Sequence, residues 1–303
     1  MTARHAPEPD GWEPPPPGDA TADVHAHTTR SDGILEPAEL VRQAVDAGVR
    51  LFAITDHDNL AAFRELSAPD AAPLPAGLEL VPAVEINAVT RGLGVQLPEG
   101  ELHVLGLGVD PEDGAFEAAL AAQRAARRVR FLATVERLRE IGMPIDAQVA
   151  SLDLARDDAL GRPTVARALI AAGHASSVED AFDRILSYGM PGYVPRSGMG
   201  PFEAIRAIRA AGGLASLAHF REAPLHRQLL LELREAGLDG LESHHRSFAE
   251  AEIEVVGGIA RELGLVETGG TDYHGDLGPY AWRHAGLVMP EDLVARLRAA
   301  LGR

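Results

Sequence analysis

The 303-residue chain contains no cysteine and no lysine. Without thiols there is no disulfide, no thiolate zinc site and no cysteine nucleophile. Without lysine there is no Schiff base and no phosphate-loop lysine. Any protein cation that grips an anion must be an arginine, whose planar fork suits two-point contact with carboxylate or phosphate. The simplest origin of this bias is a GC-rich coding sequence. Aromatic residues are also scarce, at 5% against 46% hydrophobic, so the core rests on Ala, Leu and Val. No apolar run reaches the roughly 18 residues that a membrane helix requires. Residues 1 to 20 are polar and proline-rich, unlike a secretory leader, which makes a cytoplasmic location without a membrane partner the default expectation. Basic residues are outnumbered 28 to 45, giving a net charge of −17. Such a surface excludes tight non-specific binding to long duplex nucleic acid. It leaves a small phosphorylated substrate open, because bound dications reverse the local field.

The chain falls into four stretches. Residues 1–20, with Pro14 to Pro17, read as a disordered tail. From Thr21 to Asp110 strands and helices alternate: strands end near His25, over Arg50–Thr55 and over Leu78–Ile86, with helices at Pro37–Ala47 and Leu60–Leu66. A hairpin turning at Arg91-Gly92-Leu93-Gly94 returns through Leu102–Gly106. Residues 111–195 read as a helical insertion, with one long Arg- and Ala-rich helix over Gly114–Gly142 and shorter ones at Pro163–Ala172 and Val178–Ser187. The βα rhythm resumes over 196–303, with helices at Pro201–Ala211, Pro224–Ala236, Phe248–Leu263 and Pro290–Leu301. Strands are expected there at Leu214–Ala218, Leu238–Glu242 and Leu265–Thr268. This order predicts an α/β fold with a mainly parallel sheet or barrel.

Polar residues gather at the predicted strand exits. His25 and His27 leave the first strand, followed by Asp32; His57 leaves the second; Glu85 ends the third; His103 lies on the hairpin return. His219 follows Ala218, and Asp272 and His274 follow the last strand. In the His25-Ala26-His27 pair, residues two apart on a strand face the same side, so both imidazoles can reach one ion. A single His at a strand end is ordinarily a satisfied polar residue, and an Asp there a helix cap. Nine ligand-type residues at successive exits are not independent accidents, and they point to a metal centre. Imidazole and carboxylate without thiolate suit Zn, Mn or Fe. His5, His174, His226 and His284 lie in the tail, a helix end or loops and receive no role.

The segments Asp23-Val24-His25-Ala26-His27-Thr28, Ser31-Asp32-Gly33, Ala53 to Asp58, the Glu85 strand, His103, Ala218-His219 and Thr271-Asp272-Tyr273-His274 resemble the PHP (polymerase and histidinol phosphatase) family of metal-dependent phosphoesterases. The match spans nearly all of residues 21 to 290. Gly161-Arg162-Pro163 and Tyr193-Val194-Pro195 resemble in particular its stand-alone bacterial branch, which acts on nucleoside 3′,5′-bisphosphates or trims oligoribonucleotides 5′ to 3′. The resemblance implies a distorted (β/α)7 TIM-like barrel with two to three divalent ions. One would use His25, His27, Glu85 and Asp272; a second the bridging Glu85 with His103 and His219; a third Asp32, His57 and His274. Three positions depart from the family pattern: Phe220 where Pro is usual, Phe248 where a His would touch substrate, and Thr164 after Gly-Arg-Pro.

The implied reaction is hydrolysis of a nucleotide phosphate monoester by a metal-bridging hydroxide, at a site that includes Asp272 and His219. His245, within Gly240 to Arg246, is the preferred acid for the leaving oxygen, with His219 or a metal-bound water as substitutes, and it doubles as a substrate contact. Arg127, Arg162 and Arg196 are candidate phosphate contacts from the insertion, although the run Arg124 to Arg130 reads first as a solvated helix face. Alternative readings are a histidinol-phosphate phosphatase and a non-catalytic metal-binding module. Oligomeric state is not readable.

Overall fold

Seven strands form one nearly closed barrel in chain order, β1 to β7, in the computed structural model, which describes residues 21–90, 93, 97, 100–150, 152, 160–275, 280, 287 and 289–303. The proline-rich tail and most of the hairpin turn predicted at 91–94 lie outside the described residues. The first half runs β1 (Thr21–Asp23), α1 (Pro37–Asp46), β2 (Val49–Ile54), α2 (Ala61–Leu66), β3 (Glu79–Val89) and β4 (Glu101–Leu107). Helices α3 (Gly114–Glu140), α4 (Asp146–Val149), α5 (Arg162–Ala171) and α6 (Val178–Ala181) then intervene. The second half runs α7 (Pro201–Ala210), β5 (Leu214–Leu217), α8 (Arg227–Glu235), β6 (Gly240–His245), α9 (Glu250–Leu263), β7 (Val266–Gly270) and α10 (Glu291–Ala300).

Neighbouring strands pair in parallel, except that β4 is antiparallel to both β3 and β5. The hairpin thus supplies the one reversed strand of an otherwise βα-wound barrel. The seam between β1 and β7 is held by Val24 N donating to Gly269 O at 3.1 Å and Asp272 N donating to His25 O at 2.7 Å. Buried Asp23 bolts the same seam: it accepts from the Thr271 hydroxyl at 2.6 Å and the Tyr280 hydroxyl at 2.7 Å. Burying that carboxylate without such donors would cost several kcal/mol, on the order of 2–7 for a lone polar group.

The two-residue period of the strands explains where the polar residues go. On β3 the row Val81, Ala83, Glu85, Asn87 faces one way; on β4 the matching row is Leu107, Leu105, His103, Glu101, with Glu85 opposite Leu105 and Asn87 opposite His103. The apolar half of each row joins a core cluster with Ala22, Leu51 and Leu293 and Leu297 of α10. The polar half of each row therefore stacks above this layer, toward the barrel mouth. The opposite faces pack outward, Val84 and Ile86 against Ile205, Leu230 and Ala260 of α7, α8 and α9.

Helix α3 belongs to two bodies of core. Phe116 and Leu120 pack with the barrel cluster, whereas Phe131, Val135 and Leu138 pack with Val165, Leu169 and Ile185. Its start is fixed by Asp113, whose side chain accepts from Ala115 N at 2.8 Å and Phe116 N at 2.9 Å. The helix expected over Val178–Ser187 is α6 followed by a π turn over Phe182–Leu186, and the one expected from Pro224 begins as a 3-10 turn over Ala223–Leu225. Among the described residues no helix is long and apolar enough to cross a membrane.

Candidate metal centre

At the mouth of the barrel, donor atoms of the nine predicted ligands converge into three groups. His25, His27 and Asp272 form one, Glu85, His103 and His219 a second, and Asp32, His57 and His274 a third that His27 also reaches. His25 Nε2 and His27 Nε2 lie 3.4 and 3.2 Å from Asp272 Oδ1. Glu85 is central: its Oε1 is 2.7 Å from His103 Nδ1 and 3.5 Å from His219 Nε2, and its Oε2 is 3.0 Å from His57 Nδ1. His274 Nε2 is 3.2 Å and His57 Nε2 is 3.6 Å from Asp32. Two ligands each about 2.1 Å from a shared ion sit about 3.0–3.4 Å apart, so this spacing matches a coordinating cluster.

Several of these atoms lack any other use. His25 Nε2, His27 Nε2, His57 Nδ1 and Glu85 Oε2 are buried with no hydrogen-bond partner among the described residues. A nitrogen 3.2 Å from a carboxylate oxygen, as in His27 and Glu85, without hydrogen-bond geometry is what a cation between them would explain. The donor set, imidazole and carboxylate, fits first-row dications.

The surrounding residues orient the ligands. Glu242, wholly buried, accepts from His25 Nδ1 at 3.1 Å and from His219 N at 2.6 Å, so His25 turns Nε2 to the cluster. Asp56, although adjacent to His57, lies outside the cluster and holds the Thr28–Ser31 loop through Thr28 N, Thr28 Oγ1 and Ser31 Oγ at 2.7, 2.6 and 2.7 Å. Asp58, His219 and Asp272 adopt positive φ of 53°, 35° and 46°, a conformation non-glycine residues hold only when their surroundings impose it. Gly270 must be glycine for another reason: a Cβ there would stand 2.2 Å from His25 Cβ.

The electrostatics follow from packing carboxylates and imidazoles together out of water. Burial pushes Glu85 up, yet His103, His57 and His25 hold it well below the usual carboxylate range. Asp272 and Asp32 are likewise pushed up by burial and held well down, by His25 and His274 and by His57 and His274 respectively. Against burial, Asp32 and Asp272 raise His274 to about 10. Such a site demands positive charge, as protons or as metal.

Opposite the ligands lies a wall of guanidiniums. A cavity of about 260 Å³ is lined both by Asp32, His57, Glu85, His103 and Asp272 and by Arg127, Arg130, Arg162 and Arg196. Two buried carboxylates position the arginines. Asp58 receives Arg127 at 2.7 Å and Arg196 at 3.1 Å; Glu101 receives Arg130, Arg162 and Arg196, each at 3.2 Å. Burial and the neighbouring Arg127 lower Arg196 to about 10, still cationic at neutral pH. The expectation of a solvated face over Arg124 to Arg130 is corrected here. Arg124, Arg127 and Arg130, three residues apart, share one side of α3; Arg124 donates to Asp58 O at 2.9 Å, and the other two line the cavity.

His245 also reaches the centre, because β6 runs on to residue 245 and its register shifts between Glu242 and His244. The bulge lets Glu242 and His245, rather than Glu242 and His244, share the inner side. His245 Nε2 is 3.7 Å from Asp272 Oδ2, whereas His244 bonds Ser243 Oγ at 2.9 Å. His245 lines a second cavity, with His219, Asp272 and Phe248, rather than the arginine-lined one. The three positions that depart from the family pattern, Phe220, Thr164 and Phe248, are all buried, and Phe248 also lines the second cavity with His219 and Asp272. Sequence reasoning missed Glu242, Asp58 and Glu101. Glu101 had a signal, being two residues before His103 on the same row.

The PHP domain model matches residues 23–131. Over 278 residues the chain is 34% identical to the 5′-3′ exoribonuclease Rnm of Escherichia coli, covering 88% of this chain and 90% of that one. It is 29% identical over 266 residues to the 3′,5′-nucleoside bisphosphate phosphatase of Chromobacterium violaceum, covering 84% and 87%. A metal-dependent phosphoesterase structure from Bifidobacterium adolescentis superposes with a TM-score of 0.74 at 32% identity, over 96% of this chain and 100% of that one.

Proposed function

The chain belongs to the PHP-domain family of metal-dependent phosphoesterases, and on that footing we propose that it hydrolyses phosphate esters of nucleotides. The substrates are nucleoside 3′,5′-bisphosphates or short 5′-phosphorylated oligonucleotides. The observation that carries this reading is the facing of seven of the nine ligand candidates by four arginines across one cavity. Four guanidiniums against Asp58 and Glu101 leave an excess of positive charge away from the ligands, suited to a second phosphate. Histidinol phosphate carries a single phosphate and an ammonium group, which that wall would repel. The relatives named above act on a nucleoside bisphosphate and on RNA.

The nine ligand candidates would hold two to three divalent ions, Mn, Zn or Fe, with Glu85 central among them. Bound dications supply Lewis acidity at the phosphoryl oxygens and deprotonate water near neutral pH. The protein's own groups do the rest. Arg127, Arg162 and Arg196 bind and orient the phosphorylated substrate. His245 Nδ1 lies 2.8 Å from Ser247 Oγ and 3.3 Å from Ser247 N, which leaves Nε2 turned toward Asp272. We assign that atom, without a hydrogen-bond partner among the described residues, to the reacting phosphate, as proton donor or substrate contact. Residues of α3 and α5 line the cavity across from the ligand candidates, where they would limit the access of bulk water to the reacting phosphate.

The test is an assay of the manganese-loaded protein against a nucleoside 3′,5′-bisphosphate, a nucleoside monophosphate, histidinol phosphate and a 5′-phosphorylated RNA pentamer. Turnover of the bisphosphate and the pentamer is expected. Turnover of none, with metal confirmed by elemental analysis, or of histidinol phosphate alone, would overturn the reading.

A further inference from the structure

The donor cluster does not sit at the end of a single pocket. His219 and Asp272 line the arginine-walled cavity and also a second one, of about 280 Å³. The second is walled by Arg221, Glu222, Ser247 and Phe248, with His245. A phosphodiester held at the cluster therefore has room for a substituent on each side.

The two chambers differ in chemistry. The first presents four guanidiniums. The second presents one, Arg221, whose charge is met by Glu252 at 3.0 Å and accompanied by Glu222. Such a chamber has little to offer a phosphate. What it does offer is flat: the Arg221 guanidinium carbon lies 5.2 Å from the centre of the Phe248 ring, so the cation is backed by an aromatic plane. Arg221 is also tied down, donating to Ser247 O at 2.8 Å. Guanidinium planes and aromatic rings are the surfaces on which unpaired bases stack.

We propose that this second chamber is a subsite for the nucleoside on the far side of the scissile phosphate, and that it distinguishes oligonucleotides from bisphosphates. The inference rests on the nucleotide phosphoesterase reading. With the 5′-phosphate of the first nucleotide against the arginines, its 3′-phosphate lies at the cluster. In a nucleoside bisphosphate nothing extends beyond that phosphate, and the second chamber is not used. In a 5′-phosphorylated dinucleotide the second nucleoside enters it and stacks on Arg221. Water attacks phosphorus in both cases and the P–O3′ bond breaks. The 3′ oxygen leaves as a hydroxyl after taking a proton, and the phosphate goes either free or with the 5′ oxygen of the second nucleoside.

The decisive comparison uses the manganese-loaded wild type, Arg221→Ala and Phe248→Leu, each assayed on a nucleoside 3′,5′-bisphosphate and on the matching 5′-phosphorylated dinucleotide. Loss of one stacked base predicts a fall of about tenfold or more in kcat/KM for the dinucleotide, carried mainly by KM. The bisphosphate should change by less than about twofold. Phe248→Leu keeps an apolar side chain in a core position, and Arg221→Ala removes a half-exposed one, so at least one variant will fold. Calorimetric affinity for a dinucleotide whose bridging 3′ oxygen is replaced by methylene, which cannot be cleaved at that bond, provides a second readout. A parallel fall on both substrates, or no change on either, would overturn the subsite. Should wild type hydrolyse neither substrate, the phosphoesterase reading fails. The calorimetric arm still decides the chamber: equal binding by wild type and Arg221→Ala would overturn it.

Discussion

The barrel mouth and the helical layer above it solve opposite electrostatic problems. At the mouth, buried carboxylates and imidazoles press against each other with orphaned donor atoms, and the deficit is of positive charge. In the layer above, four arginines press against two buried carboxylates, and the surplus is positive. The first set sits on β3 and β4, through Glu85 and His103, and on the segments that follow β1, β2, β5 and β7. The second sits on α3, on α5 and on the chain after it, held to the barrel by Asp58 and Glu101. One region is completed by cations and the other by an anion. On the proposed function a phosphorylated substrate between them would satisfy both, with chemistry assigned to the lower region and recognition to the upper.

If that division is right, damage below should abolish turnover and leave recognition standing. Asp272→Asn removes a charged ligand candidate that His25 and His27 share at 3.4 and 3.2 Å, and turnover should fall by about a thousandfold or more. The circular dichroism spectrum should not change, and elemental analysis should show at least one fewer ion per chain. Unchanged activity would mean that this ligand group is misassigned. Chelation should act on the same region: activity lost, restored by added Mn, and the melting temperature lowered, because ions that bind only the folded state stabilise it. A melting temperature indifferent to the chelator would break the link between the orphaned atoms and metal.

Much of the lower region was legible in the sequence, for a physical reason. Strand periodicity and short apolar runs place His25, His57 and Asp272 at exits without any knowledge of packing. Asp56 shows the limit of that logic: adjacent to His57 and of ligand type, it holds the Thr28–Ser31 loop, an assignment only tertiary contacts decide. His245 entered the inner face through a register shift that no alternation pattern reveals. The upper region was harder to read. Arg-rich helix sequence looks the same whether its face meets water or buried acids, and Asp58 and Glu101, which turn Arg127 and Arg130 inward, lie far away in the chain.

Damage above should produce the converse phenotype. Arg162→Ala removes a cavity-lining guanidinium, and KM for a nucleoside bisphosphate should rise by about tenfold to a hundredfold, as for loss of a charge-assisted phosphate contact. Metal content should be unchanged. A fall in kcat with constant KM would instead place Arg162 at the reacting phosphate. Glu242→Gln lies between the regions in effect. It weakens the partner that turns His25 toward the cluster, so metal affinity should drop by about tenfold to a hundredfold, with activity recovered at high Mn. No recovery would make Glu242 more than a positioning residue.

The smallest effect on turnover, and the sharpest on the comparison itself, is expected from Glu101→Gln. Glu101 is held far below the ordinary carboxylate range, burial working against Arg196, Arg162 and Arg130. Neutralising it leaves three guanidiniums facing each other with one carboxylate, Asp58, nearby. Breaking a buried charge network of this kind costs about 3–5 kcal/mol, readable as a lower denaturation midpoint. His103 touches this network through Nε2, 4.0 Å from Glu101, but turns Nδ1 to Glu85, so metal stoichiometry should hold. Inorganic phosphate then becomes diagnostic. If the arginines form an anion site, phosphate replaces the missing carboxylate charge and should raise the melting temperature of the variant more than that of wild type. Equal stabilisation of the two proteins would mean that the arginines serve only to fasten the helical layer to the barrel.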